Sequence, residues 1–147
     1  MRLTIRSNHA LRVLMVCAVN PGQMLRSSDI AKTCNSSEHH LAQIIHRLAR
    51  LDFIASTRGR SGGVKLARAP EEIVIGDVVR AIESDFPFAE CFGEGECDCP
   101  IADVCILKGH FSDALDAFYA VLEKVTLADL VRDNGTLAER LRILEPA

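Results

Sequence analysis

No apolar run in this chain reaches the roughly 18–20 residues that a membrane span requires. The opening stretch "MRLTIRSNHALRVLMVCAV" has arginines but no signal-peptide layout. Asn8, His9 and Arg12 interrupt its apolar segment, and no cleavage-site pattern follows. The expected location is the cytoplasm, away from any membrane, where stable disulfides are uncommon. Also missing are a nucleophile motif, a phosphate-binding glycine loop and an HExxH pattern, so the sequence gives no support for an enzyme. There are no repeats and no low-complexity segment. What is present, 48% hydrophobic and 25% charged residues in 147, suits one globular domain, or a small domain with an appendage.

The formal net charge of −3 argues against a nucleic-acid partner only on average. Residues 1–70 carry 11 Lys/Arg against 3 Asp/Glu, a balance of +8; residues 71–147 carry 6 against 17, a balance of −11. One half can attract phosphates while the other repels them.

The basic half has a recognisable order of elements. Residues 9–19 read as a buried helix with Ser7 as its N-cap, ended by "PGQ" at 21–23. A short helix over 27–34 follows, capped by Ser27 or Ser28, and "NSS" at 35–37 makes a turn that supplies the next cap. In "EHHLAQIIHRLARL", 38–51, Leu41, Ile44, Ile45 and Leu48 recur at i, i+3, i+4 and i+7, so one face is buried. His39, Gln43, His46 and Arg50 then fall on the opposite face, whose central stretch contains no acid. "DFIAST" and "VKLA" read as two strands joined by the loop "RGRSGG", 58–63. Gly62 and Gly63 there permit the positive φ of a hairpin turn, but a bare turn does not need Arg58 and Arg60. Guanidiniums on a glycine-rich tip suit minor-groove insertion.

Helix, short helix, turn, helix and two-stranded ribbon is the winged helix-turn-helix layout, in which the third helix enters the major groove. The expected fold is mainly α with a small β-wing. It has a DNA-binding domain over 1–75, and a cysteine loop with dimerisation helices over 76–147. Ser36, Ser37, His39, His40 and Gln43 are the candidates for base or phosphate contact at the helix start. Arg58 and Arg60 are the wing candidates, and Arg2, Arg6 and Lys65 the phosphate candidates.

In the acidic half "IGDVVRAIE" reads as a helix over 76–84, and residues 103–125 as a long one. The long helix carries an apolar stripe through Leu107, Phe111, Ala114, Leu115, Phe118, Val121, Leu122 and Val125. It is longer than so small a body needs, which suggests pairing with a second copy. Thr126 caps a last short helix, "LADLVRD".

Between these helices lies "CFGEGECDCPIADVC", with spacings Cys91–x5–Cys97–x1–Cys99–x5–Cys105. A disulfide, zinc, an iron–sulfur group and accident all remain open. Zinc usually shows close Cys-x2–4-Cys pairs, absent here, whereas iron–sulfur ligands tolerate irregular spacing. Glu90, Glu94, Glu96, Asp98 and Asp103 lie in or beside the loop. Such acids disfavour bare thiolates, and a cationic metal reverses that penalty, so ligation explains these thiols better than nucleophilic catalysis does. Cys17 and Cys34, on apolar helices, read as structural.

The chain resembles the Rrf-type winged-helix regulators that bind iron–sulfur clusters. The resemblance covers nearly its whole length. It rests on "MRLTIRSNHALRVLM", "DIAKTCNSSEHHLAQIIHRLARLDFI", "TRGRSGGVKLARAPEEIVIGDVVRAIE", the cysteine loop and "AFYAVLEKVTLADLV". The start, the wing, "IGDVVRAIE" and "TLADLV" look most like the family's nitric-oxide-sensing repressors. Asn8 and the longer first cysteine gap are nearer its iron-responsive regulators. The resemblance implies a homodimer on a palindromic operator in double-stranded DNA, released when nitric oxide attacks the cluster; iron status or cluster supply are the alternative signals. It implies an iron–sulfur cluster, 4Fe–4S ahead of 2Fe–2S, held by Cys91, Cys99 and Cys105. Cys97 is an extra thiol that replaces Cys99 or adds a fourth ligand. Some members take a fourth ligand from an aspartate near the partner subunit's N-terminus. Asn8, which stands at that position, is a neutral and poorer ligand, with His9 beside it as a substitute. From a different class, a metal-storage or electron-transfer protein would use the same cluster without DNA; the basic half counts against it.

Overall fold

In the computed structural model, which describes residues 3–57, 59, 62–85, 87–93, 95 and 97–143, the chain opens with helix α1 (Ile5–Val19). Its cap is Thr4, whose hydroxyl accepts from the Ser7 amide, rather than Ser7 itself. Ser7 is instead buried and donates to Glu83, far along the chain. Helix α2 (Ser27–Thr33) starts after Arg26 without a side-chain cap, so neither Ser27 nor Ser28 plays that part. Helix α3 (Glu38–Arg50) is capped by Ser37 as expected, its Oγ accepting from the His40 amide at 3.2 Å. The inward row Leu41, Ile44, Ile45 and Leu48 is buried. Each such side chain contributes about 1.5–3 kcal/mol by leaving water, and together they fix which face α3 turns outward.

Strands β1 (Ile54–Thr57) and β2 (Gly63–Leu66) pair antiparallel, with Ile54 opposite Leu66 and Thr57 opposite Gly63. A third segment joins them: Leu25, between α1 and α2, exchanges both backbone hydrogen bonds with Val64, at 3.0 and 2.8 Å. This contact explains Gly63 differently from the turn expected of it. A Cβ there would lie 2.8 Å from the Leu25 carbonyl oxygen and 3.0 Å from the Met24 carbonyl carbon, so close backbone approach demands glycine. The positive φ on the described part of the loop belongs to Gly59.

Helix α4 (Ile75–Glu83) lays Ile75, Val78, Val79 and Ile82 against α1. Ile73 and Ile75 bond to Leu127 and Val125 either side of Thr126, which brings helix α6 (Leu127–Val131) back onto the same core. Thr126 and Asp129 cap α6 reciprocally, and that pairing holds the Asp129 carboxyl below its ordinary range. Helix α7 (Gly135–Leu141), which the sequence did not announce, is held by Asn20, whose Nδ2 donates to the Leu141 carbonyl at 3.0 Å. Buried residues from α1 through α4 and from α6 form one continuous core.

Helix α5 (Ile106–Leu122) is about 25 Å long, and none of its residues is buried. The apolar stripe expected on it is only partly covered. Phe118, Tyr119 and Leu122 pack half-buried on the core, while Leu107, Ala114 and Val121, along one edge of the stripe, are exposed.

Candidate nucleic-acid interface and cysteine loop

Capping at Ser37 and burial of four aliphatic side chains leave His39, Gln43, His46 and Arg50 exposed along α3. Gln43 Nε2 and His39 Nε2 lie 3.3 Å apart, so these two hold one another one turn apart. Ser37 is exposed and Ser36 half-buried just ahead of the helix. His40 points elsewhere: it is half-buried, with its ring edge-on to His9 at 4.9 Å, and its Nε2 is buried without a hydrogen-bond partner. His9 is itself buried with an unpaired Nδ1. Burial, then the neighbouring His40 and Arg12, push its pKa below the ordinary histidine value.

Lys65 is exposed on β2 and Arg6 on the first turn of α1. Arg2, Arg58 and Arg60 lie outside the described residues. Charge counting includes two arginines that the fold ties down. Arg68 sits at the foot of the ribbon, over the Phe53 ring at 5.1 Å, and donates to the Asp52 carbonyl. Arg47, on the flank of α3, bonds through Nη1 and Nη2 to the end of α4. Both belong to the basic half, but only the structure tells such arginines from those open to a ligand.

The cysteine loop leaves α4 and returns at α5. Cys91 sits in a 3₁₀ turn, Glu90–Phe92, and Cys105 occupies the N-cap position of α5. Cys97 and Cys99 lie in irregular chain between them, and Cys99 accepts from the Ala102 amide at 3.1 Å. All four thiols are free and half-buried. Phe88 packs edge-on against both Phe92 and Phe111, so the loop's first turn is fastened to α5. Glu90, Asp98 and Asp103 are exposed around it; Glu94 and Glu96 lie outside the described residues. Asn8 is exposed on α1.

The donor chemistry fits an iron–sulfur group: four unoxidised thiols on one loop, one of them at a helix N-terminus that favours an anionic ligand set. The described residues do not, however, draw three His, Cys, Asp or Glu side chains together as a metal site. Cys17 and Cys34 are of another kind. Burial, aided by Cys34, pushes the Cys17 thiol up to about 12, and burial raises Cys34 despite the opposing Arg12. At pH 8, a maleimide should therefore label four thiols of the metal-free protein quickly, and the remaining two only after denaturation. Mass spectrometry showing five or six fast adducts would contradict this assignment.

A capped helix with an exposed polar face, followed by a pinned two-stranded ribbon, defines a winged helix-turn-helix regulator. The family model for Rrf2, an iron-dependent transcriptional regulator, matches residues 3–133. The chain belongs to the Rrf2 family and is a transcriptional regulator. It is 42% identical over 146 residues to protein aau3 of Rhizobium meliloti, covering 99% of this chain and 95% of that one. To the HTH-type transcriptional regulator NsrR of Bacillus subtilis it is 41% identical over 146 residues, covering 99% and 100%. Among solved structures, the oxidised form of Staphylococcus aureus CymR is similar, with a TM-score of 0.68 and 27% identity over 90% of this chain and 97% of that one. The IscR of T. potens shares the fold, with a TM-score of 0.71 and 23% identity over 99% and 94%. The family resemblance and the mainly helical winged fold read from the sequence are both borne out. Among the described residues no helix is long and apolar enough to cross a membrane.

Proposed function

We propose that this regulator is a cytoplasmic repressor that binds a palindromic DNA operator as a homodimer and lets go when nitric oxide reaches an iron–sulfur cluster on its cysteine loop. The observation that carries the DNA reading is the outward face of α3, acid-free at His39, Gln43, His46 and Arg50 and anchored by Ser37 and four buried aliphatics. Ser36, Ser37, His39 and Gln43 would meet bases or phosphates at the helix start, with Lys65 and Arg6 on the flanking backbone. The exposed row Leu107, Ala114 and Val121 on α5 supports pairing with a second copy. The acidic half would stay clear of the duplex.

Cys91, Cys99 and Cys105 would hold the cluster, with Cys97 as the alternative or fourth thiol; the cluster would supply a nitric-oxide-reactive iron centre. The rest falls to the chain: the 91–105 loop changes its packing, and the two heads change their spacing. A differential free energy of about 3 kcal/mol between the two states alters operator affinity by roughly a hundredfold. The nitric-oxide signal is the one the family resemblance implies, and the match to regulators named NsrR supports that branch of the family. Asn8 in place of an acidic ligand keeps an iron-responsive reading as the second one.

Anaerobic purification, absorbance and operator binding with and without nitric oxide test this together. The expected result is coloured protein whose operator affinity falls by about a hundredfold on exposure. Colourless, iron-free protein that binds equally tightly would overturn the cluster reading.

A further inference from the structure

The last turn of α4 is where three parts of the molecule meet. Arg47 of α3 places its guanidinium over this turn and bonds to it through both Nη1 and Nη2. Nη1 donates to Asp85 Oδ2 at 2.9 Å and Nη2 to Asp85 Oδ1 at 3.0 Å, a two-pronged pair. Nη2 also donates to the Ala81 carbonyl at 2.9 Å, with Ser84 Oγ 3.2 Å away. Two residues before Asp85, Glu83 Oε1 accepts from the Thr4 amide and hydroxyl, both at 2.9 Å, and from the Ser7 hydroxyl. Residues 81–85 thus grip the outward-facing helix on one side and the head of α1 on the other.

The cysteine loop departs from this same turn. Phe88, three residues beyond Asp85, is wedged against Phe92 and Phe111, and Cys91 stands immediately before Phe92. From a thiol of the loop to α3 the connection is partly along the chain and partly through contacts: Cys91 is the neighbour of Phe92, Phe92 meets the Phe88 ring, Phe88 follows Asp85 by three residues, and Asp85 pairs with Arg47. A partly exposed ion pair adds little to stability. A planar guanidinium bonded to both carboxylate oxygens does, however, fix direction, which a lysine cannot do.

We infer that Arg47 and Asp85 are positioning residues that set the pose of α3 according to the state of the cysteine loop. The inference rests on the cluster reading above, and it deepens that reading by naming the linkage. Asp85 is the better residue to replace. Removing an acid near the basic half tightens DNA binding in loaded and cluster-free protein alike, so that effect cancels in the ratio of the two affinities.

The test measures operator affinity of cluster-loaded and cluster-free protein for wild type, Asp85→Ala, Asp85→Asn and Arg47→Lys. The expected result is that Asp85→Ala narrows the loaded-to-free ratio by about tenfold, a change of roughly 1.4 kcal/mol in coupling. The two conservative variants should fall between it and wild type. Cluster absorbance stays as in wild type, and melting temperature moves by no more than a few degrees, as a weak surface pair implies. In cluster-free protein, amide exchange over residues 44–50 quickens in Asp85→Ala. An unchanged ratio in both Asp85 variants, or unchanged exchange, overturns the linkage. A wild-type ratio of one overturns the cluster reading itself, which separates the two failures.

Discussion

Cys99→Ala is expected to abolish the visible iron–sulfur absorbance of anaerobically purified protein, whereas Cys97→Ala largely keeps it. The two thiols are separated by one residue and are equally free and half-buried, so exposure does not distinguish them. The backbone does. Cys99 accepts from the Ala102 amide at 3.1 Å, and Ile101 accepts from Val104 at 3.2 Å, so two successive turns carry the chain from Cys99 to the N-cap of α5. Cys99 and Cys105 are thereby ends of one short ordered segment, while Cys97 precedes it. A ligand pair that is already positioned loses less entropy on binding metal than one that must be gathered. The reverse pattern, with colour lost in Cys97→Ala and kept in Cys99→Ala, would reassign the ligand. Loss in both would make all four cysteines ligands.

Raising salt from 50 to 200 mM should weaken operator binding by about 10³-fold or more, the result expected when a dimer neutralises at least six phosphates. The whole-chain charge of −3 predicts no such sensitivity. The distribution does: the +8 balance sits in residues 1–70, with Lys65, Arg50 and Arg26 exposed around α3 and the ribbon. Arg47 and Arg68 should contribute little to the slope, since protein acceptors already take up their guanidiniums. Fluorescence anisotropy across a salt series reads the slope directly. A flat dependence would remove the DNA reading and leave the metal-storage alternative standing.

Local chemistry was legible in the sequence, and distant partners were not. The spacing of Leu41, Ile44, Ile45 and Leu48 placed the buried face of α3, and Ser37 and Thr126 could be read as caps because a cap bonds three residues away. Ser7 looked like a cap as well, but its hydroxyl goes to Glu83, 76 residues on, and Thr4 takes the local role. His40 lay among the groups expected to meet DNA, yet its ring turns toward His9 on another helix. Gly63 looked like a turn former, and its reason lies in Leu25, which no local pattern connects to it. On α5, periodicity found the apolar residues but not which of them the core covers, Phe118, Tyr119 and Leu122, and which stay exposed. For the loop cysteines the sequence offers an expectation, Cys91, Cys99 and Cys105 as ligands with Cys97 as the alternative or fourth, and the described residues do not gather three such side chains at one point.

The Leu25–Val64 exchange has a mechanical consequence. Because the stretch between α1 and α2 is stitched into the ribbon, the hairpin cannot swing as a separate flap. The hairpin also packs on α3 through β1, so under the proposed mode of DNA binding the helix and the ribbon would reach or leave the duplex together.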